Sequence, residues 1–531
     1  MSQVKTIGAD ELKAMLHDGA EIAVLDAREE GDFATSHLLF ACSVPLSQLE
    51  RLLALRVPRR AARVVWMDAG EGFAQAAAAR SAAFGYQDVS VLEGGVEAWR
   101  MAGYQVYTGV HVPSKAFAEV IEHDEHTPWI SAQALCEKAA ADPNLVLLDS
   151  RSYEEYHSNT IPGARSCPGA ELVYRIQDIV PSADALVVVN CGGRTRSIIG
   201  AQSLINAGLP NQVVSLRDGT MAWHLTGMEV AIGRQEKPPA TSSAGLQWAQ
   251  EATERVAKRF AVERIDAEVL GRWLVDTERT LYVIDVRTVE EYQAGHIESA
   301  RWVGGGQLVQ ETDQHIGVWG ARVVLTDDDA VRATMTASWL KQMGWEAYVF
   351  VPGAEHPRIA GMPSTTTLSV QHTTPPSITA AQLASALEGA DAPLVVDIGT
   401  SVDYANEHIA GAWFATRARL ELGVTTLPEA DTLVVTSADG ELASLTVTQL
   451  LAQGRSASAL AGGTQAWVAA RLPLENGMTR PACPANDLWH TPRGRDPQRR
   501  EAAMREYLTW ETALVFQIKQ DDDCRFQSFP A

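Results

Sequence analysis

A cysteine followed by two glycines and two arginines lies in the segment VVVNCGGRTRSIIGAQSL, residues 187–204. The short, β-branched run at 187–189 predicts a buried strand. The apolar spacing at 197–207 predicts an amphipathic helix. Cys191 would therefore lie at the end of a strand, with the N-terminus of a helix just behind it. This arrangement favours an anion at the cysteine.

The residues around Cys191 suit the chemistry of a thiolate, which is the nucleophilic form of cysteine. Glycines allow close approach of the backbone, and a helix N-terminus and arginines add positive charge, so we expect a lowered thiol pKa. The competing interpretation is a buried cysteine that only caps the strand. We predict Cys191 as the catalytic residue, Ser197 as a supporting residue, and five substrate-binding residues: Gly192, Gly193, Arg194, Thr195 and Arg196.

Four segments of the chain repeat one pattern, an apolar strand followed by an aspartate and then an aromatic residue; they span 24–41, 147–164, 283–300 and 395–412. A second strand follows each segment at a nearly constant interval. The endings LEGGVEAW (92–99), LRDGTMAW (216–223) and LAGGTQAW (460–467) are a third shared feature. Three landmarks in common indicate tandem repeats of one domain.

Within each repeat, strands alternate with helical stretches of about ten residues. This predicts an α/β fold, with small parallel sheets that carry helices on both faces and bind ligands beyond the carboxyl ends of their strands. The predicted domains are unit one at 1–108, unit two at 127–234, unit three at 261–362, unit four at 377–478, and a C-terminal tail with a helix at 479–531.

The Asp-x-Arg, Glu-Tyr and Ile-Pro-Gly-Ala motifs of unit two, its strand–Cys–loop–helix and its Gly-x-x-x-Trp element resemble rhodanese (thiosulfate sulfurtransferase) domains. The resemblance covers four tandem units. It implies a double displacement, in which Cys191 takes the outer sulfur of a donor as a persulfide and a thiolate or cyanide then removes it. Arg194 and Arg196 would hold the anionic donor, and the loop amides would stabilise the persulfide.

One unit of the four has a cysteine at the loop position; the others have Asp68, Asp327 and Ser437. An aspartate cannot carry a sulfane sulfur, and Ser437 has no adjacent base, so we expect these three units to be inactive. The loop of unit two, Cys-x-x-x-x-Arg, is one residue shorter than the loop of phosphatases with a similar fold, which favours sulfur over phosphate or arsenate. Mercaptopyruvate-type loops lack arginine, so the two arginines favour thiosulfate or another anionic or persulfide donor.

Asp149 and Arg151 form the Asp-x-Arg motif of unit two. The same motif recurs in units one and three beside loops without cysteine. We therefore predict a supporting role for this pair, as a salt bridge at the end of the sheet.

The net charge of −22 disfavours binding to nucleic acid or to anionic membranes. The six cysteines form no Cys-x-x-Cys motif, which predicts no metal site, no cofactor and a reducing, cytoplasmic location. The first residues lack the apolar core of a signal peptide, and no apolar run approaches the length of a membrane span.

These observations predict a sulfurtransferase whose partners are a small-molecule sulfur donor and a thiol acceptor. The alternative is a persulfide carrier or docking scaffold that delivers sulfur to a partner protein. The three units without cysteine favour the alternative, because catalysis alone needs one unit.

Overall fold

The computed structural model describes residues 4–363, 367–369 and 374–529. Of the predicted ranges, residues 1–3 of unit one and 530–531 of the tail lie outside this part. In the described residues, each repeat forms one five-stranded sheet with the same strand order, and the pairs within these sheets are parallel. The predicted α/β fold of four tandem parallel-sheet units is confirmed.

Unit one contains strands β1 (Lys5–Ile7), β2 (Ile22–Asp26), β3 (Cys42–Ser43), β4 (Arg63–Met67) and β5 (Asp88–Leu92), and helices α1 (Ala9–His17), α2 (Glu30–Phe33), α3 (Leu49–Arg56), α4 (Phe73–Ala83) and α5 (Gly95–Met101). A linking helix follows, α6 (Val112–Asp124). Unit two contains β6 (Trp129–Ile130), β7 (Val146–Asp149), β8 (Arg165–Ser166), β9 (Val187–Asn190) and β10 (Val213–Leu216), with α7 (Ala132–Ala141), α8 (Tyr153–Ser158), α9 (Glu171–Arg175), α10 (Thr195–Asn206) and α11 (Gly219–Leu225).

A second linking helix, α12 (Ser243–Arg259), leads to unit three, which contains β11 (Glu263–Arg264), β12 (Leu281–Asp285), β13 (Arg301–Trp302), β14 (Arg322–Thr326), β15 (Glu346–Phe350), α13 (Ala267–Leu274), α14 (Val289–Ala294), α15 (Gly305–Gln310), α16 (Thr312–His315) and α17 (Val331–Gln342). Unit four and the tail contain β16 (Ser377–Ile378), α18 (Ala380–Leu387), β17 (Leu394–Asp397), α19 (Ser401–Asn406), β18 (His408–Ile409), β19 (Trp413–Phe414), α20 (Arg417–Leu422), β20 (Leu433–Thr436), α21 (Glu441–Ala452), β21 (Ala457–Leu460), α22 (Gly463–Ala469), β22 (Leu474–Glu475) and α23 (Arg500–Ile518).

Strand β9 shows how the sequence builds a sheet that is buried on both faces. Val187 and Val189 pack with Ile198 of α10 on one face, whereas Val188 packs with Trp223 of α11 on the other. Successive side chains of a strand point to opposite faces, so a continuous apolar run has two apolar layers to bury it. The predicted helices on both faces are confirmed in this unit.

Units two and three contact each other through equivalent residues. Nη1 of Arg196 lies 3.4 Å from Oε1 of Gln307, and Nη1 of Arg332 lies 3.0 Å from Oε1 of Glu171. Gln307 and Glu171 each come 22 residues after the repeated aspartate of their units. The reciprocal contacts indicate an approximate twofold relation between the two units, and α12 packs across both, against α9 and α17.

Helices α6 and α23 join the tail to the region around Cys191. Helix α6 was not predicted, because residues 109–126 fall between two repeats; α23 agrees with the helix predicted for the tail. The two helices pack against each other, beside the loop that follows β9. In the part of the chain that the structure covers, no helix is long and apolar enough to cross a membrane.

Candidate active site

Cys191 follows directly after β9 and is 2% exposed. Its carbonyl oxygen accepts a 2.9 Å hydrogen bond from the backbone N–H of Thr220, and that of Gly192 accepts one from Met221. The N-terminus of α11 therefore fixes the loop. Gly219 has a φ of +54°, and a Cβ at this position would lie 2.3 Å from the carbonyl oxygen of Cys191, which explains the glycine of the repeated Gly-x-x-x-Trp element.

The loop after the central strand directs a backbone amide at its first side chain in the other three units. In each of them, the side chain at the position of Cys191 accepts a hydrogen bond from the amide six residues later; the pairs are Asp68 with Ala74 (3.0 Å), Asp327 with Ala333 (3.1 Å) and Ser437 with Ala443 (3.2 Å). The equivalent residue of unit two is Ser197, whose backbone N–H and hydroxyl both donate to the carbonyl oxygen of Arg194, at 3.2 and 2.8 Å. Unit two thus has a buried thiol at the position where the other three units have a side-chain oxygen.

The structure raises the pKa of Cys191, whereas the sequence predicts a lowered one. Burial raises the pKa of Cys191 above its ordinary value of 9.0, and the charge of Arg196 and the nearby polar groups of Ser197 act against this. The carboxylate of Glu511 adds to the increase. The difference arises from burial and from the charge of Glu511, neither of which local sequence shows.

Arg196 forms a two-pronged ion pair with Glu155. Its Nη1 and Nη2 lie 2.5 and 2.7 Å from the two carboxylate oxygens. Glu155 also closes a capping box with Ser152 at the start of α8. Burial acts to raise the pKa of Glu155, but the Arg196 guanidinium outweighs it and lowers that pKa to about 2. The pair is therefore ionised, and it holds the positive charge of Arg196 beside Cys191.

The sequence predicts that Arg194 binds the substrate, but in the structure its guanidinium is paired with carboxylates of the protein. Its guanidinium is 3% exposed, bonds both oxygens of Glu119 (2.5 and 2.9 Å) and Asp218 (2.9 Å), and pairs with Glu122. Three carboxylates occupy its donors, so this geometry ties the loop to α6 and does not offer a free cation to a donor. Glu119 and Glu122 lie in the segment that the sequence analysis left unassigned.

The remaining loop residues face the C-terminal helix. Thr195 donates a 2.8 Å hydrogen bond to Oε1 of Glu511. A Cβ at Gly193 would lie 3.1 Å from Oε2 of Glu511 and 3.4 Å from the Tyr507 ring, so a glycine allows the tail to pack here, whereas Gly192 faces Arg151. The sequence analysis missed these tail residues, because nothing local links them to a loop more than 300 positions earlier.

The supporting pair forms a buried salt bridge, with Nη2 of Arg151 lying 2.7 Å from Oδ2 of Asp149. Thr160 donates a 2.7 Å hydrogen bond to the same carboxylate oxygen. Equivalent pairs, Asp26 with Arg28 and Asp285 with Arg287, lie beside the aspartate-bearing loops. The pair thus braces the sheet end in units with and without cysteine.

Unit three contains a counterpart of Arg196 that the sequence analysis did not identify. Arg332 lies five residues after Asp327, as Arg196 does after Cys191. It pairs with Glu291, the counterpart of Glu155, at 2.6 Å. An arginine at this position therefore does not by itself distinguish unit two.

A cavity of about 280 Å³ opens between units two and three next to the site. Arg151, Tyr153, Trp302 and Gln307 line it. Because Arg151 packs on Gly192 and Gln307 contacts Arg196, the cavity adjoins the loop of Cys191.

In the described ranges, one group of side chains has the spacing of metal ligands: His17, Asp522 and Asp523. The ammonium of Lys13 pairs with both aspartates. This group is remote in sequence from the loop of Cys191, and the single ammonium of Lys13 offsets part of its negative charge.

Comparisons with known proteins agree with this architecture. The model of the family described as Rhodanese-like domain matches residues 8–102, 132–226, 266–355 and 379–470. The crystal structure of thiosulfate sulfurtransferase from Pseudomonas aeruginosa is 41% identical, with a TM-score of 0.94 over 99% of this chain and 100% of that chain.

Two curated proteins match single regions. The HTH-type transcriptional regulator Rv0324 of Mycobacterium tuberculosis (strain ATCC 25618 / H37Rv) is 33% identical over 89 residues, which are 17% of this chain and 38% of the regulator. The "Putative sulfur carrier protein YrkF" of Bacillus subtilis (strain 168) is 26% identical over 140 residues, which are 24% of this chain and 72% of that protein. With four matched regions and one cysteine-bearing loop, the chain belongs to the rhodanese-like domain family.

Proposed function

We propose that this protein is a sulfurtransferase that moves a sulfane sulfur from thiosulfate, or a related anionic or persulfide donor, to a thiol or cyanide through a persulfide on Cys191. One observation carries the proposal. Of four equivalent loops, unit two has a thiol at the position where the other three have a side-chain oxygen that accepts a hydrogen bond from the amide six residues later. The 41% identical thiosulfate sulfurtransferase supports the class of reaction.

In the first half-reaction, the Cys191 thiolate attacks the outer sulfur of thiosulfate. A Cys191–sulfur bond forms, the sulfur–sulfur bond of thiosulfate breaks, and sulfite leaves with the electron pair. In the second, an acceptor thiolate or cyanide attacks the outer sulfur and the electron pair returns to Cys191. Arg196 and Ser197 both act to lower the pKa of Cys191, and Arg196 opposes the negative charge that gathers at the loop.

The test is the intact mass of the protein after incubation with thiosulfate and removal of the excess. We expect a gain of one sulfur atom, which dithiothreitol removes. The Cys191→Ser variant should show no gain, whereas Cys167→Ser, a change at the other buried cysteine of unit two, should load like the wild type. No gain in the wild type, or a gain in Cys191→Ser, would contradict the proposal.

A second candidate function is a persulfide carrier that delivers sulfur to a partner protein. The observation that favours it is the cover over Cys191, which is 2% exposed. Sustained turnover of thiosulfate and cyanide supports the enzyme; loading without turnover until a partner is added supports the carrier. For either function we propose the cytoplasm, because unpaired cysteines suit a reducing compartment.

A further inference from the structure

The C-terminal helix α23 forms one wall of the Cys191 site. Glu511 is 1% exposed, and its Oε1 accepts the hydrogen bond from Thr195. The ring of Tyr507 approaches the Gly193 position from the same helix. A segment from the far end of the chain thus completes the pocket of unit two.

Packing fixes this wall in place. Leu514 and Ile518 of α23 are buried in a cluster with Val112 and Ala116 of α6. Lys115 lies between these two residues on α6, and its ammonium is surrounded by three tail rings, Trp489, Tyr507 and Trp510, at 5.1–5.2 Å from their centroids. Ammonium–ring contacts of this kind are worth more when water is excluded, so Lys115 anchors the tail against the site.

The second oxygen of Glu511 is the unusual feature of this wall. Within the described residues, Oε2 is buried and has no hydrogen-bond partner. It is also the atom nearest to the Gly193 position, at 3.1 Å from a Cβ placed there. Buried polar atoms are nearly always paired, so an unpaired carboxylate oxygen that faces the catalytic loop indicates a place for a proton donor on a ligand.

We propose that Glu511 is a catalytic residue of the second half-reaction, which accepts the proton of a small neutral thiol as that thiol attacks the Cys191 persulfide. The inference rests on the proposed function. The acceptor's S–H proton moves to Oε2, the acceptor–sulfur bond forms, and the Cys191–sulfur bond breaks with its electron pair returning to Sγ. The product persulfide then takes the proton from Glu511 as it leaves, which restores the carboxylate.

The surroundings of Glu511 suit a group that exchanges a proton. Burial raises the pKa of Glu511, and the ammonium of Lys115 acts against this. The ionisable groups that face it from neighbouring elements are Lys115 and Glu119 of α6, Arg194 and Cys191 of the loop, Asp218 before α11, and Tyr507 of α23. A carboxylate at this wall also disfavours anionic acceptors, so the geometry points to uncharged thiols.

The experiment compares two acceptors on preloaded protein. Wild type and Glu511→Gln are loaded with thiosulfate and desalted, and the loss of the added sulfur is followed by mass spectrometry at mildly alkaline pH. We expect Glu511→Gln to slow transfer of the sulfur to 2-mercaptoethanol by roughly 10²-fold. This is the lower end of the rate enhancement that general acid–base catalysis typically provides. Discharge to sulfite, which has no proton to give up at that pH, should be unchanged or faster.

Controls separate proton transfer from packing. Glu506→Gln makes the same change on the exposed face of α23 and should leave both rates unchanged. Glu511→Asp should restore part of the thiol rate, and it provides the same comparison of acceptors if Glu511→Gln does not load. Equal slowing with thiol and sulfite would overturn the inference and leave the proposed function standing, whereas failure of the wild type to load would defeat the proposed function itself.

Discussion

At the scale of single residues, the identity of one loop side chain separates unit two from its neighbours. Asp68 and Asp327 present a carboxylate to the loop amides, so their cradles are filled by the protein's own anion. Ser437 shows that a hydroxyl is accommodated in the same loop. Cysteine adds a soft side chain at this position, whose thiolate form is a nucleophile.

Removal of the Arg196 charge should weaken reaction with an anionic donor. We expect Arg196→Ala to lower kcat/KM for thiosulfate by roughly ten- to a hundredfold, the equivalent of one charge-assisted hydrogen bond. Because the guanidinium acts against the raised pKa of Cys191, its loss should raise that pKa further and slow alkylation by iodoacetamide at neutral pH. Equal losses with thiosulfate and with an uncharged polysulfide, and an unchanged alkylation profile, would place Arg196 outside the reaction.

Arg194 should matter for stability more than for the donor. Arg194→Met leaves Glu119 and its neighbours without a buried partner, which costs roughly 3–5 kcal/mol. Burial already raises the pKa of Glu119 to about 7 with Arg194 present. A carboxyl with a raised folded pKa destabilises the fold above its ordinary pKa of 4.5, so the loss should be small in acid and grow as the pH rises through neutrality. Urea unfolding at acidic and alkaline pH measures this; a pH-independent loss would contradict it.

At the scale of elements, the turn into α11 positions the catalytic loop. Gly219→Ala would place a Cβ against the carbonyl oxygen of Cys191, at a positive φ, and should shift the loop and reduce sulfur loading at least about tenfold through strain of about 1–3 kcal/mol. Gly227→Ala is the matched control, since Gly227 also has a positive φ but open space around it. Normal loading in Gly219→Ala, or an equal defect in both variants, would show that contact with the loop is unimportant.

The elements that local patterns encode are the ones that the sequence predicts well. Strand β9 was expected at 187–189, and α10 begins two residues before the predicted 197. The contacts around the site were not predictable in this way. Thr195 and Glu511 are 316 positions apart, and their pairing depends on how α6 and α23 pack rather than on any local spacing. For the same reason, the loop arginines alone suggested a free, basic cradle and a lowered thiol pKa.

At the scale of the whole molecule, units two and three share one framework but differ in the residue at the equivalent loop position, which is Cys191 in unit two and Asp327 in unit three. The reciprocal contacts of Arg196 and Arg332 place the cysteine-bearing loop of unit two and the aspartate-bearing loop of unit three at equivalent positions in the pair. Within the described residues, the salt bridge at the sheet end occurs in both, while the wall provided by Glu511 contacts the loop of unit two.

This comparison leads to a test of what a rhodanese-like loop needs beyond cysteine and arginine. In Cys191→Ser/Asp327→Cys, the new thiol would have Arg332 at the correct spacing, but Arg332 is fully buried between Glu171 and Glu291. The loop also contains Asp328 and Asp329, whose negative charges would repel thiosulfate. We therefore expect no measurable sulfur gain by intact mass.

The matched variant Cys191→Ser/Asp68→Cys has Phe73 at the arginine position, and we expect it to be inactive as well. The first variant has Arg332 at the arginine position and the second has Phe73. Comparing their sulfur loading therefore measures what the arginine contributes in a loop that lacks the other residues around Cys191. Loading of Asp327→Cys but not of Asp68→Cys would show that cysteine and arginine in the shared framework are sufficient. In that case the acidic residues of the loop would not prevent sulfur loading in unit three. The tail would then not be needed for the first half-reaction.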